Sequence, residues 1–236
     1  MRWAEMHWAA VEEYLRRDDR AVLPIGSVEQ HARLSLATDM ILAERVAVEA
    51  AEPLGVPVLP AMPFGHAPYF SAFPGTVTLR IETLLAVVRD IIASLDRAGF
   101  RRVLIVNGHG GNAPVGALAQ EIMAERPHLS LRFHEWWRAP RVAAQAQALD
   151  PSGSHANWFE NFPWTRLPNI AAGTGEKPAV DREALRAASP AAVRAMLDDG
   201  SFGGPYQKPD DDMMALWATG VAETREAIEG PWPSRA

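Results

Sequence analysis

Two neighbouring stretches constrain the architecture more than any other part of the chain. From Ile81 to Ala98 apolar residues return at helical spacing (Ile81, Leu84, Leu85, Val88, Ile91, Ile92, Leu95), which places them on one face of a helix. Shortly after, Arg102 to Asn107 (RVLIVN) is a nearly unbroken apolar run, the pattern of a strand buried on both faces. Ala21 to Gly26 (AVLPIG) and Leu129 to Phe133 repeat the strand pattern, and residues 36–52 and 113–125 the helical one. This βαβα alternation predicts an α/β fold with a mostly parallel central sheet covered by helices on both faces.

Other segments interrupt the alternation. Residues 53–79 carry no charged side chain, yet they include Pro53, Pro57, Pro60, Pro63, Pro68 and Pro74, so they cannot form a membrane-spanning helix. Val56 to Pro63 is expected to be extended. Residues 150–178, rich in Pro, Gly, Asn and Trp, are expected to form long loops at a pocket. Two helices are expected near 181–198 and 210–228, separated by a glycine-rich turn, with Asp210 to Asp212 suited to the second one's N-terminus. No linker divides the 236 residues, which are expected to form one domain.

Composition narrows the chemistry. With no cysteine there is no thiol nucleophile, disulfide or thiolate metal site, so any metal must be held by histidine and carboxylate. Twenty-three basic against 29 acidic residues, with no long basic run, argues against a nucleic-acid partner. Glu5, Glu12 and Glu13 interrupt any secretory leader core, so a soluble, cytoplasmic protein without membrane contact is expected.

Three constellations carry chemistry. PIGSVEQH (24–31), followed by Asp39, sets Glu29, His31 and Asp39 just past a strand, where open parallel sheets bind ligands. Imidazole mixed with carboxylate suits divalent ions, although a Glu-x-His pair also occurs in ordinary solvated turns. NGHGGN (107–112) places His109 between glycines at the end of another strand. A rival reading takes Gly108 to Ala113 (GHGGNA) as a dinucleotide fingerprint with Glu135 on the ribose, which makes the chain an NAD-dependent oxidoreductase but leaves Glu29, His31, Asp39, His155 and Glu160 unused. The third stretch, SGSHANWFENFPWTRLP (152–168), sets His155 and Glu160 among aromatics. It is either a packing loop or a pocket wall in which Glu160 completes a metal set and His155 moves a proton. Trp136, Trp137 and Trp158 are candidates to line that wall.

Together PIGSVEQH with Asp39, FPGT (73–76) and NGHGGN resemble the creatininase (creatinine amidohydrolase) family, in the family's order, from about residue 3 to 165. The resemblance implies a single three-layer α/β/α domain, homohexameric assembly and two divalent ions, most often Zn2+, with Mn2+ or Fe2+ as alternatives. By position, Glu29 and His109 are similar to ligands of one ion, His31 to a ligand of the other, and Asp39 to the bridging carboxylate. The second-ion glutamate of creatininase itself falls on Gly111 here. Other members take it from a later segment, which points to Glu160 in HANWFEN. Ahead of FPGT, Ala67, Tyr69 and Phe70 replace a polar stretch of many relatives, an aromatic substrate surface that does not suit creatinine.

The implied reaction is metal-assisted hydrolysis of a carbonyl compound, a cyclic amide or other C–N bond, with His155 as proton donor and Glu29 as a further candidate base. Ring-opening C–C hydrolysis of a keto-cyclitol or sugar-like ring, and a non-catalytic metal-binding relative, are the alternatives.

Overall fold

The apolar runs pair as the alternation requires. In the computed structural model, which describes residues 1–171 and 173–232, Arg20–Ile25 (β1), Arg102–Asn107 (β2) and Ser130–Glu135 (β3) form a parallel sheet in the order β1-β2-β3. The register is level, with Ile25 opposite Asn107 and Asn107 opposite Glu135, so the three C-terminal ends share one edge.

Beside β1 runs the extended stretch 56–62, held by Leu59 N–H to Val22 O (2.9 Å) and Met62 N–H to Pro24 O (3.0 Å). Its prolines lack N–H groups, so it pairs at isolated positions rather than as a continuous strand. Residues 1–3 continue along its outer side through Trp3 N–H to Val58 O (2.8 Å).

Alternate strand residues feed two apolar layers. Ala21, Leu23, Ile25, Val103 and Ile105 meet Tyr14 of Trp8–Leu15 (α1), Ile81–Ala98 (α3) and Pro114–Glu125 (α4). From α3 the buried residues are Leu84, Val88, Ile92 and Leu95, each worth roughly 2 kcal/mol on burial. The helix ends where Gly99 takes a left-handed φ of 112° and returns its N–H to the carbonyls of Leu95 and Asp96.

On the other face Val22, Leu104 and Val106 pack against Thr38–Ala51 (α2), Pro140–Leu149 (α5) and the last helix. Trp136, Phe162, Trp164 and Trp217 interlock there: Trp217 lies 5.4 Å from Trp136 and 4.8 Å from Trp164, and Phe162 stacks on Trp164 at 5.4 Å.

One expectation needs correction. The helix expected over 181–198 is two, Arg182–Ala187 (α6) and Pro190–Leu197 (α7), because Pro190 drives Ser189 out of helical geometry and Ser189 caps the second. The C-terminal helix, Asp210–Glu229 (α8), keeps its three aspartates in the first turn. Helix α1 goes beyond the sequence-based reading; Tyr14 alone of its residues is buried, too weak a stripe to show. FPGT lies outside the cavity lining and braces the loop after β1: Thr76 Oγ1 accepts from Gln30 N–H (3.1 Å), and Val77 N–H donates to Val28 O (2.9 Å). No helix among the described residues is long and apolar enough to cross a membrane.

Candidate metal centre

Loops leaving the level edge of the sheet bring the acidic and imidazole side chains together. After β1 the chain turns so that Glu29 and His31 are buried, with Ser27 Oγ donating to Glu29 Oε2 at 3.0 Å. Asp39 enters from the first turn of α2, and His109 from the loop after β2. That loop is clamped by its own asparagines: Asn107 binds both N–H and C=O of His109 (3.1 and 2.7 Å), and Asn112 donates to Gly26 O (3.0 Å). Glu160 arrives on the short helical turn Trp158–Glu160, with Oε2 accepting from Ala156 N–H at 2.6 Å.

Each histidine is oriented by the nitrogen facing away from the carboxylates. His31 donates Nδ1–H to Glu29 O (3.1 Å), which leaves Nε2 toward Asp39 Oδ1 (3.1 Å) and Glu160 Oε2 (3.5 Å). His109 donates Nε2–H to His66 O (3.0 Å), which leaves Nδ1 toward Asp39 Oδ2 (3.0 Å) and Glu29 Oε2 (3.2 Å). A second ring nitrogen bound to a carbonyl is the usual way to present a metal-ligating lone pair.

His155 differs. Gln30 uses Oε1 to accept from Ala32 N–H (3.1 Å) and its amide N–H groups to donate to Gly200 O (3.0 Å) and His155 Nε2 (2.8 Å). Nε2 is therefore an acceptor, and the neutral ring carries its proton on Nδ1, 3.7 Å from Glu29 Oε1. Phe70 stacks on the imidazole at 4.5 Å.

The donor atoms form three overlapping triads, each within 4.8 Å: Glu29–Asp39–His109, His31–Asp39–Glu160 and Glu29–His31–His155. Asp39 belongs to the first two. Its Oδ2, buried and near His109, accepts no aligned hydrogen bond, an unmet demand that a cation would satisfy. Nitrogen and oxygen donors without thiolate fit zinc, manganese or iron.

The electrostatics agree. Burial lifts Glu29 to about 7, with Asp39 adding to it, and burial lifts Glu160 to about 7. At Asp39 burial works upward but His31 and His109 prevail, holding the carboxyl below its ordinary range. Burial would lower His31 and His109, yet the facing carboxylates raise them to about 10 and about 9. His155 is held well below 6.5 by burial and by the neighbouring His31.

These groups open on a cavity of about 610 Å3. Of the residues expected from the sequence, Glu29, Asp39, His109, His155, Glu160, Tyr69, Phe70, Trp136 and Trp137 line it, and His31 is enclosed behind them. Trp158 does not: it is 0% exposed and packs into the core beside Phe159. The three-residue turn that delivers Glu160 to the cavity sends the preceding indole inward. Sequence reasoning missed Gln30, Phe202, Arg138, Arg182 and Arg186; the last two, four apart in a helical pattern, were the available signal. The two buried carboxylates beside His109 also disfavour a dinucleotide pyrophosphate on GHGGNA, and Glu135 is paired with Arg138 (3.1 Å).

Comparison with known proteins gives a consistent set. The creatininase family profile, described as creatinine amidohydrolase, matches residues 4–228. The creatinine amidohydrolase of Pseudomonas putida is 34% identical over 116 residues, 46% of this chain and 45% of that protein. The 3-dehydro-scyllo-inosose hydrolase of Thermotoga maritima is 31% identical over 102 residues, 42% of this chain and 33% of that protein. These matches thus span less than half the length of each curated relative. Among solved structures, a creatinine amidohydrolase (creatininase) superposes with a TM-score of 0.78 at 24% identity over 98% of both chains. A manganese form of creatininase does so at 0.77 and 23% over 97% of both. At these identities the likeness is one of fold.

Proposed function

Because this chain belongs to the creatininase family, we propose that it is a metal-dependent hydrolase that attacks a carbonyl of a small molecule, cleaving a cyclic amide or other C–N bond. The observation that carries the reading is the interleaved set of buried imidazoles and carboxylates around Asp39, with its unsatisfied Oδ2. Glu29, Asp39 and His109 would hold one divalent ion, and His31, Asp39 and Glu160 a second, most often Zn2+, with Mn2+ or Fe2+ as alternatives. Such ions supply Lewis acidity, polarising a carbonyl and lowering the pKa of water.

The chain's own groups do the rest. Hydrogen bonds to Glu29 O and His66 O hold His31 and His109 as ligands. Gln30 keeps the His155 proton on Nδ1, the nitrogen turned toward Glu29, and the Phe70 stack fixes the ring. From there His155 can pass that proton to a leaving group, a contribution of about 10²–10⁴-fold. Glu29 serves as ligand with Oε2, already engaged by Ser27, and faces His155 with Oε1, so a separate role as base is confined to exchange with that ring. Tyr69, Phe70 and Trp137 supply flat walls.

The same geometry suits C–C ring opening of a keto-cyclitol. The inosose hydrolase relative and the aromatic walls favour keeping that reading as the second.

Elemental analysis of purified protein tests the proposal. About two equivalents of divalent metal are expected, lost together with turnover in His31→Ala and Asp39→Ala. A screen of lactams, formamides and cyclic ketones separates the two readings, and full turnover after chelation refutes both. Hexameric assembly and cytoplasmic residence complete the proposal. Sedimentation checks the assembly.

A further inference from the structure

The cavity has a second chemical face that the hydrolytic reading does not use. Arg182 and Arg186, one turn apart on α6, line it together with Tyr69 and Phe202. Neither guanidinium is within ion-pair distance of Glu29, Asp39, Glu160 or any other carboxylate among the described residues. Among the described residues the Arg182 side chain makes a single hydrogen bond, to the neutral Ser154 Oγ (2.6 Å), and the Arg186 side chain makes none. The nearby acids do not quench them: Asp181 is spent on the N–H groups of Glu183 and Ala184 as the helix cap.

Both arginines line the cavity, and Arg182 stands toward the reaction end. The Arg182 guanidinium lies 5.8 Å from the Phe202 ring, and the same ring lies 5.0 Å from His155. Arg182 is therefore one aromatic ring from the proposed proton donor, and its partner Ser154 precedes His155 in the chain. Both positive charges are felt at the Tyr69 phenol, which burial pushes up while Arg186 and Arg182 pull it down. A guanidinium without a carboxylate partner, set in an aromatic wall, is suited to bidentate capture of an oxyanion.

We propose that the substrate carries an anionic oxygen group, a carboxylate or a phosphate, seated on Arg182 and Arg186 while its carbonyl faces the Asp39 cluster. This rests on the cavity being the substrate site of the proposed hydrolase. It adds a specificity element to it: the neutral parent ring without the anionic arm leaves the arginines unused. Arg138, which also lines the cavity, is already paired with Glu135 and plays a lesser part.

Equilibrium titration with phenyl phosphate, phenylacetate and neutral benzyl alcohol, on metal-loaded and on chelator-treated protein, tests this. Wild type is expected to prefer one of the two anions over benzyl alcohol in both forms, and the preferred anion names the group. The double variant Arg182→Gln/Arg186→Gln should weaken that anion about tenfold or more. Its metal content and benzyl alcohol binding should not change. Arg182→Lys/Arg186→Lys, which keeps charge but loses the fork, should recover part of the affinity, and Arg16→Gln, just past α1 near the N-terminal end of β1 and so at the opposite edge of the sheet, should have no effect. Anion binding that ignores the arginine substitutions, or that vanishes on chelation alone, overturns the inference. Failure of the hydrolase reading looks different: no bound metal and no turnover, with arginine-dependent anion binding intact.

Discussion

The two adjacent glycines of NGHGGN are predicted to respond in opposite ways to the same added methyl group. A Cβ on Gly110 meets nothing within 4 Å, and Gly110 has no left-handed φ. A Cβ on Gly111 falls 2.0 Å from His66 O and 2.5 Å from His109 Nε2, the two atoms joined by the hydrogen bond that orients His109. The carbonyl would have to retreat by more than an ångström, so the bond cannot survive in place. Overpacking of this kind costs about 1–3 kcal/mol, and the lost hydrogen bond about 1 kcal/mol more. Gly111→Ala should therefore destabilise the fold by about 2–4 kcal/mol in urea titration. Competition against a chromophoric chelator should show metal affinity about 10–100-fold weaker, as expected when a ligand loses its orienting partner. Gly110→Ala should leave affinity unchanged and stability equal or up to about 1 kcal/mol higher, through reduced freedom of the unfolded chain. Equal behaviour of the two variants, or wild-type affinity in Gly111→Ala, would refute the reasoning. The same crowding leaves no room for a longer side chain such as glutamate at 111 on this backbone.

Three further outcomes follow from other parts of the molecule. Gln30→Glu replaces the donating amide with an acceptor and should move the His155 proton to Nε2; kcat should fall about 10²-fold at unchanged metal content, with nitrogen chemical shifts reporting the tautomer. His134, bonded to Thr224 Oγ1 at 3.0 Å, is lowered by burial from 6.5 to about 4. The unfolded chain binds the extra proton between those values, so stability is full above 6.5 and declines as pH falls toward 4. The loss is at most about 3 kcal/mol, and denaturant titrations on His134→Asn should lack it. Trp158→Ala should cost about 3–5 kcal/mol of stability as a core truncation while KM stays within twofold; a large KM change with intact stability would return this indole to the pocket wall.

The layering was legible because periodicity is a local property: Leu84, Val88 and Ile92 repeat at helical spacing, and Val103 to Val106 form a run that only a doubly covered strand can bury. The convergence of Glu29, His31, Asp39 and His109 was legible for a related reason, since residues that follow parallel strands share an edge. Direction was harder to read. Trp158 and Glu160 are two positions apart, and the sense of one short turn sends the first into the core and the second to the cavity. The tautomer of His155 depends on Gln30, 125 positions away, and on an amide fixed by Ala32 and Gly200. Arg182 and Arg186 were hidden by commonness, because arginines on exposed helices are ordinary until the fold closes a cavity around them. The break at Ser189–Pro190 was visible in the letters and outweighed by the apolar spacing on either side of it.

The interlocked indoles also give the molecule an optical signature. Trp136 follows β3, Trp164 lies on the loop that carries Glu160, and Trp217 belongs to α8, with its ring within exciton-coupling range of the other two. Arg45 sits over Trp164 at 3.9 Å, a fixed charge that displaces the transition energy of that ring from its neighbours. Near-ultraviolet circular dichroism should therefore show a strong, signed tryptophan band that depends on the mutual orientation of three separate pieces of chain. That band reports whether the loop and the last helix are docked on the sheet, and it does so without substrate, metal or turnover.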